Sequence, residues 1–120
     1  MMKKILVIED DSDFQNIYRL YFQEESFQVL TALNGKEAMA VLEKETPDLI
    51  ILDLIMPVMD GEEFYVWLRA QKKWRDTPVI VASVNEKLPQ SMTDLGGIAE
   101  NLKKPFLIDV LIEKVHANLK

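Results

Sequence analysis

Three stretches of this chain are apolar without interruption: ILVI at 5–8, LIIL at 49–52 and VIVA at 79–82. A strand that alternates apolar and polar residues can leave one face in water, but these cannot. Each must be covered on both faces, as in a parallel sheet with helices packed above and below it. The first run, from Lys3 to Ile8, gives way to a helical period: Phe14, Ile17, Tyr18 and Tyr21 fall at i, i+3, i+4 and i+7. That spacing predicts a helix from about Asp13 with these four side chains facing inward and Ser12 or Asp13 as N-cap.

The alternation continues along the chain. FQVLTA at 27–32 predicts a second strand, and NGKEAMAVLEKE at 34–45 a helix capped by Asn34 with Ala38, Met39 and Leu42 inward. PDLIILDL at 47–54 predicts a third strand, and Pro57 with Asp60-Gly61 a loop before a helix from about Glu62 to Gln71, Phe64, Trp67 and Leu68 sharing one side. TPVIVAS at 77–83 predicts a fourth strand, ENLKKPF at 100–106 a short strand and turn, and LIDVLIEKVHANL at 107–119 a last helix with Leu111, Val115 and Leu119 inward. Residues 85–97 carry Pro89 and Gly96-Gly97 and show no clear amphipathic helix. Five strand–helix alternations predict a single α/β domain over residues 1–120, a flavodoxin-like (βα)5 three-layer sandwich with a five-stranded parallel sheet of order 2-1-3-4-5.

Charge and composition limit the partners. With a formal net charge of -6 the chain lacks the basic surface that nucleic acid requires, and it does not suit an anionic membrane. It contains no cysteine, which excludes disulfides and thiolate metal sites. The N-terminal MMKKILVIEDD stops in acids too early for a signal peptide, and no apolar run reaches the ~18 residues of a membrane span. A cytoplasmic protein is the expectation.

In a doubly wound sheet, ligands bind beyond the C-terminal strand ends at the switch in strand order, here between strands one and three. Strand one ends in Glu9-Asp10-Asp11, strand three in Asp53, strand four in Ser83, and strand five leads to Lys103, Lys104 and Pro105. Clustered carboxylates cannot all ionise without a cation. A hard divalent ion such as Mg2+, taking one or two carboxylates and a phosphate oxygen, is the natural counterion. Asp53 opposite Glu9 and Asp10 suggests a metal-assisted nucleophile. A phosphoryl group on it would want a cation, a hydroxyl and a fixed ammonium, which Mg2+, Ser83 and Lys104 would supply. Each of these residues also has a plainer reading, as a solvated turn acid, a strand-end hydroxyl or a surface lysine. Their agreement on one rim favours the site.

ILVIEDD, PDLIILDLIMPVMDG, PVIVAS and the KPF at 104–106 together resemble the receiver domain of two-component response regulators, over the whole chain. The resemblance implies that Asp53 accepts a phosphoryl group from the phosphohistidine of a sensor histidine kinase or phosphotransfer protein. It implies that Asp10 binds Mg2+ directly, Glu9 through water, and Ile55 through its carbonyl. Ser83 would be the switch hydroxyl and Lys104 the phosphoryl-binding lysine, with Asp11 a solvated acid outside the pair. It implies a module that catalyses only its own phosphorylation and dephosphorylation, and that signals to a downstream protein or output domain. Ile55 and Asn85 would flank the path of attacking water, and Ile55 with Val84 predicts a long-lived phosphoryl state. Asn101 stands where the family often has an aromatic switch residue, so output would pass through an order–disorder change in 85–97. His116 is expected on the surface.

Other classes fit less well. A phosphohydrolase of the haloacid dehalogenase type wants an acid at position 55, where this chain has Ile55. A flavin binder wants hydroxyls and amides where Glu9-Asp10-Asp11 stand. A receiver-like interaction module without phosphorylation, or the excised receiver of a longer DNA-binding regulator, remain as alternatives.

Overall fold

The computed structural model describes residues 2–84 and 87–119. Five strands, β1 (Lys4–Ile8), β2 (Gln28–Ala32), β3 (Leu49–Leu52), β4 (Val79–Ser83) and β5 (Ile98–Lys103), alternate with helices α1 (Ser12–Glu24), α2 (Gly35–Lys44), α3 (Gly61–Ala70), α4 (Gln90–Leu95) and α5 (Ile108–Asn118). The strands are parallel in the order β2-β1-β3-β4-β5, the predicted flavodoxin-like sandwich.

The uninterrupted apolar runs divide by parity. Leu6, Ile8, Leu52 and Val81 join Phe64, Leu68 and Met92 in one core beneath α2, α3 and α4. Ile5, Val7, Ile51 and Ala82 join Tyr18, Phe22, Leu111 and Val115 in a second core beneath α1 and α5. Successive strand residues thus feed opposite layers, which is why these strands tolerate no polar position.

The edge strand β5 breaks this alternation once. Its pairing with β4 runs Val79 to Ile98 and then Ile80 to Glu100, so Ala99 is the extra residue of a bulge. Ile98 packs into the α3 layer, whereas Ala99 and Leu102 pack into the α5 layer.

α1 differs from its predicted face. Its buried residues are Gln15, Tyr18 and Phe22, while Phe14, Ile17 and Tyr21 are exposed. The helix is turned because Gln15 has work inside: its Nε2 donates to the carbonyls of Glu9 and Ala32, each at 2.8 Å, tying the ends of β1 and β2 together. Two such bonds offset the cost of burying an amide. The cap also differs. Asp11, not Ser12 or Asp13, is the N-cap, its Oδ1 accepting from the N–H of Asp13 (2.8 Å) and of Phe14 (3.3 Å). A cap carboxylate at a helix N-terminus also opposes the helix dipole, so Asp11 is a structural acid and not simply a solvated one.

α2 begins at the predicted cap, with Asn34 Oδ1 accepting from Glu37 N–H at 2.9 Å. Ala38 and Leu42 are buried and Met39 is half-buried. In α3, Phe64 and Leu68 are buried as predicted, and Tyr65 is fully buried beside them. Residues 90–95 form the short helix α4, held inside by Met92. Polar bonds from α3 hold the segment further. Ser91 Oγ donates to Glu62 Oε2, Tyr65 Oη donates to the Gly96 carbonyl at 2.6 Å, and Arg69 Nη2 donates to the Gly97 carbonyl at 3.0 Å. Gly96 ends the helix in the left-handed region (φ 69°). In α5, Leu111 and Val115 are buried. His116 lies outside, against Glu25 at 2.7 Å. No helix among the described residues is long and apolar enough to cross a membrane.

Candidate functional site

The C-terminal ends of β1 and β3 are adjacent, since Ile8 pairs with Leu52. The residues just beyond them therefore come out side by side: Glu9 after β1 and Asp53 after β3. The backbone stitches them, with Glu9 N–H donating to the Ala32 carbonyl and Asp53 N–H to the Ile8 carbonyl, both at 3.0 Å. Asp10 follows on the open side. Carboxylate oxygens of Glu9, Asp10 and Asp53 lie within 4.8 Å of one another, close enough to share one metal ion. Hard anionic oxygens in a shallow cup are the donor set a divalent cation such as Mg2+ prefers, and this cluster fits it.

Lys104 enters from the other side. Its Nζ bonds Glu9 Oε1 at 2.5 Å and lies 3.5 Å from Asp53 Oδ2. Lys104 N–H donates to the Ser83 carbonyl at 2.8 Å, which fixes the residue after β5 against the end of β4. The β5 bulge sets its parity: Leu102 faces the α1–α5 layer, and Lys104, two residues on, comes out on that side. Above the ammonium lies the ring of Phe14, its centroid 5.0 Å from Nζ.

Burial raises the Glu9 carboxyl above its usual range; the Lys104 bond opposes the shift and Asp53 adds to it. Asp10 is also raised, by desolvation first and then by Glu9. For Lys104, burial lowers the ammonium's pKa, but the bond to Glu9 and the charges of Asp53 and Glu9 outweigh it, and the net shift is upward. One lysine therefore leaves two of the three acids under-compensated. The Tyr18 phenol beneath them is pushed far up by burial and by the charges of Glu9 and Asp53, and stays neutral.

The remaining predicted residues lie around this core. Ser83 is fully buried at the end of β4. It does not line the cavity over the acids, and strand parity puts it on the α3–α4 side of the sheet. Ile55 is exposed, and its N–H donates to Asp53 Oδ1 at 3.4 Å. Val84 is exposed at the cavity rim. Asn101 is exposed on the edge strand, and Asn85 lies outside the described residues. One site feature had no separate sequence signal, the Phe14 ring over Lys104; Gly61, marked in the sequence as part of the loop after the third strand, donates its N–H to the Leu54 carbonyl at 2.9 Å and brings the start of α3 against the end of β3.

The same frame occurs in known proteins. A chemotaxis response regulator of Vibrio cholerae, CheY4, superposes with a TM-score of 0.90 at 30% identity, covering 99% of this chain and 100% of that one. Response regulator TrrA of Thermotoga maritima, solved in complex with Mg2+-BeF, superposes with a TM-score of 0.85 at 31% identity, over 98% and 100% of the two chains. The transcriptional regulatory protein PrrA of Mycobacterium tuberculosis is 35% identical over 98% of this chain and 50% of its own length. YxdJ of Bacillus subtilis, another transcriptional regulatory protein, is 27% identical over 99% of this chain and 51% of its own. The chain thus spans about half the length of these two curated relatives. The profile of the response regulator receiver domain matches residues 5–116, nearly the whole sheet and its helices. An acid cup at the switch point of a 2-1-3-4-5 sheet, a profile match from β1 into α5 and relatives at 30% identity and above agree: this chain belongs to the response regulator receiver domain family.

Proposed function

We propose that this receiver is switched by transfer of a phosphoryl group from a partner's phosphohistidine to Asp53, with Glu9, Asp10 and Lys104 as its immediate machinery. The observation that carries this reading is the position of Asp53, within 4.8 Å of Glu9 and Asp10 and 3.5 Å from the Lys104 ammonium. An Asp53 oxygen forms the new bond to phosphorus as the phosphorus–nitrogen bond breaks, and the electron pair leaves with the imidazole. Lys104 offers a fixed positive charge to a phosphoryl oxygen. Glu9 holds that ammonium in place. The Ser83 hydroxyl is assigned to a second phosphoryl oxygen, and because it belongs to the α3–α4 side, its engagement would carry the signal there. Asp10, Asp53 and the Ile55 carbonyl would hold Mg2+, with Glu9 behind them, and the ion would neutralise charge on the transferring group. In this reading the domain catalyses only its own modification, over one receiver spanning 1–120, in the cytoplasm.

Ionisation gives a direct check on the metal. Because Glu9 and Asp10 are raised in the folded chain, the folded state holds protons that the unfolded state has lost. The stability of the metal-free protein therefore falls as pH rises from the ordinary carboxylate range through the raised values. Mg2+ binds the ionised acids, so its stabilising effect grows through that window. At pH 7.5 and Mg2+ at ten times its Kd, a gain of about 1.4 kcal/mol, or ~5 °C in Tm, is expected. The gain should shrink as pH falls through the raised values to the ordinary carboxylate range of about pH 4, where the acids are protonated. Thermal melts with Mg2+ against chelator at both pH values measure it, and an equal gain at both would contradict the site.

The docking face for the phosphodonor is assigned to α1. Ile17, Leu20 and Tyr21 stay exposed there, Leu20 at 63%, along a helix that leads to the acid cup. Leu20→Glu is expected to slow transfer from a kinase that phosphorylates the unmodified chain by about tenfold or more, through loss of an apolar anchor. Labelling by acetyl phosphate, which needs no docking face, should be unchanged. Equal slowing with both donors would place the defect in the site and not at the surface.

The transcriptional relatives, about twice as long as this chain, favour a second reading of its output, in which the receiver governs a DNA-binding domain. The acidic receiver would act on such a domain, and not on DNA itself.

A further inference from the structure

The acid cup occupies only one end of a larger cavity. About 530 Å³ opens between α1 and the loop after β5, within the range of small-molecule sites. Glu9, Asp10, Asp11, Asp53 and Lys104 are its charged lining, and Phe14, Ile17, Val84, Phe106 and Ile108 are among its apolar lining. A phosphoryl group fills a small part of such a space. Phe14 joins the two ends. Its ring covers Lys104 Nζ at 5.0 Å, stacks on Tyr18 with centroids 6.5 Å apart, and is still 43% exposed. The Phe14 ring thus lines the cavity next to the ammonium assigned to the phosphoryl group.

In-line transfer puts the leaving group on the side of phosphorus opposite Asp53, and the cavity that Asp53 lines is the space a donor must enter. We propose that the apolar end of the cavity is a leaving-group subsite, which selects phosphodonors whose leaving group is a planar aromatic ring seated on Phe14. The inference rests on Asp53 as the acceptor. Its occupant follows from continuity: the wall begins where the reacting atoms end, and offset ring stacking is the contact a half-exposed Phe face can make. For an aromatic acyl phosphate the balance is simple. A bond forms between an Asp53 oxygen and phosphorus, the phosphorus–oxygen bond to the acyl group breaks, and the carboxylate leaves with the electron pair and no proton.

The test compares benzoyl phosphate with acetyl phosphate, both with Mg2+, in the unmodified chain and in Phe14→Ala. The quantity read is the ratio of the two second-order rate constants. Any loss from removing the ring over Lys104 slows both donors and cancels, as does their intrinsic difference in reactivity. The ratio is expected to favour benzoyl phosphate about tenfold more in the unmodified chain than in Phe14→Ala. Phe14→Tyr should keep that preference. Phe14→Leu, which retains apolar bulk without a ring, should lose part of it and guards against a folding defect in the Ala variant. Equal ratios in all four proteins overturn the subsite while leaving the acceptor intact. A chain labelled by neither donor overturns the acceptor reading and the subsite with it.

Discussion

Asp53→Ala is expected to reduce phosphoryl incorporation from acetyl phosphate to background, a loss of more than about a hundredfold. Intact-mass measurement under Mg2+ should show one added phosphoryl group on the unmodified chain and none on the variant. The geometry explains why neighbouring acids should not substitute. Glu9 is buried and its Oε1 is held by Lys104 at 2.5 Å. Asp10 is exposed on the rim, where the proposed site uses it as a metal ligand. The variant should remain folded, because removing Asp53 relieves its repulsion with Glu9 and leaves the Glu9–Lys104 pair whole. A melting temperature equal to or above that of the metal-free parent, with labelling gone, is the expected pair of results. Persistent labelling at Asp10 or Glu9 would move the acceptor.

Gly61→Ala should have the largest effect on stability. A Cβ built at Gly61 would lie 2.3 Å from the Asp53 carbonyl oxygen and 2.7 Å from the Leu54 Cα. Both are backbone atoms of the segment leaving β3, and they cannot rotate away. Either α3 lifts off the sheet, straining the packing of Phe64 and Tyr65, or the acceptor loop shifts. We expect a loss of about 3 kcal/mol or more, read as a fall of ~10 °C in Tm. Phosphorylation should slow as well, since Asp53 would move relative to Lys104. Gly96→Ala is the contrast: its Cβ meets nothing, so only its backbone conformation, φ 69° with ψ -169°, opposes the change, at a cost of about 1–3 kcal/mol. Similar melting temperatures for the two variants would show that close approach is not what Gly61 provides.

The layered sheet was legible because its signal is one-dimensional. Runs such as LIIL leave no strand face for water, and the acids follow the runs directly, so naming the strand ends also placed Glu9, Asp10 and Asp53 on one rim. What escaped depends on contacts between distant segments. The inner face of α1 was misplaced because Gln15 is polar by composition, and only its bonds to the carbonyls of Glu9 and Ala32 make it an interior residue. Asp11 was one of several adjacent residues able to cap, and backbone geometry chose among them. The start of β5 was hidden behind Gly96-Gly97, on an edge strand with a single neighbour and no strict alternation. The tie from Tyr65 and Arg69 to that turn spans 28 to 31 residues of sequence and leaves no local pattern.

The bulge at Ala99 makes the site dependent on a reading frame set at the far end of its own strand. Upstream of it, β5 matches β4 in one phase; downstream, in the other. Lys103 and Lys104 are adjacent and chemically identical, so nothing in their side chains decides which one meets Glu9 and Asp53. The single inserted residue decides, by assigning Lys104 to the α1–α5 side. Were Ala99 paired with Ile80 instead of left over, every charged group of the cup would stay in the polypeptide, and yet Lys103 would take the side that Lys104 now holds.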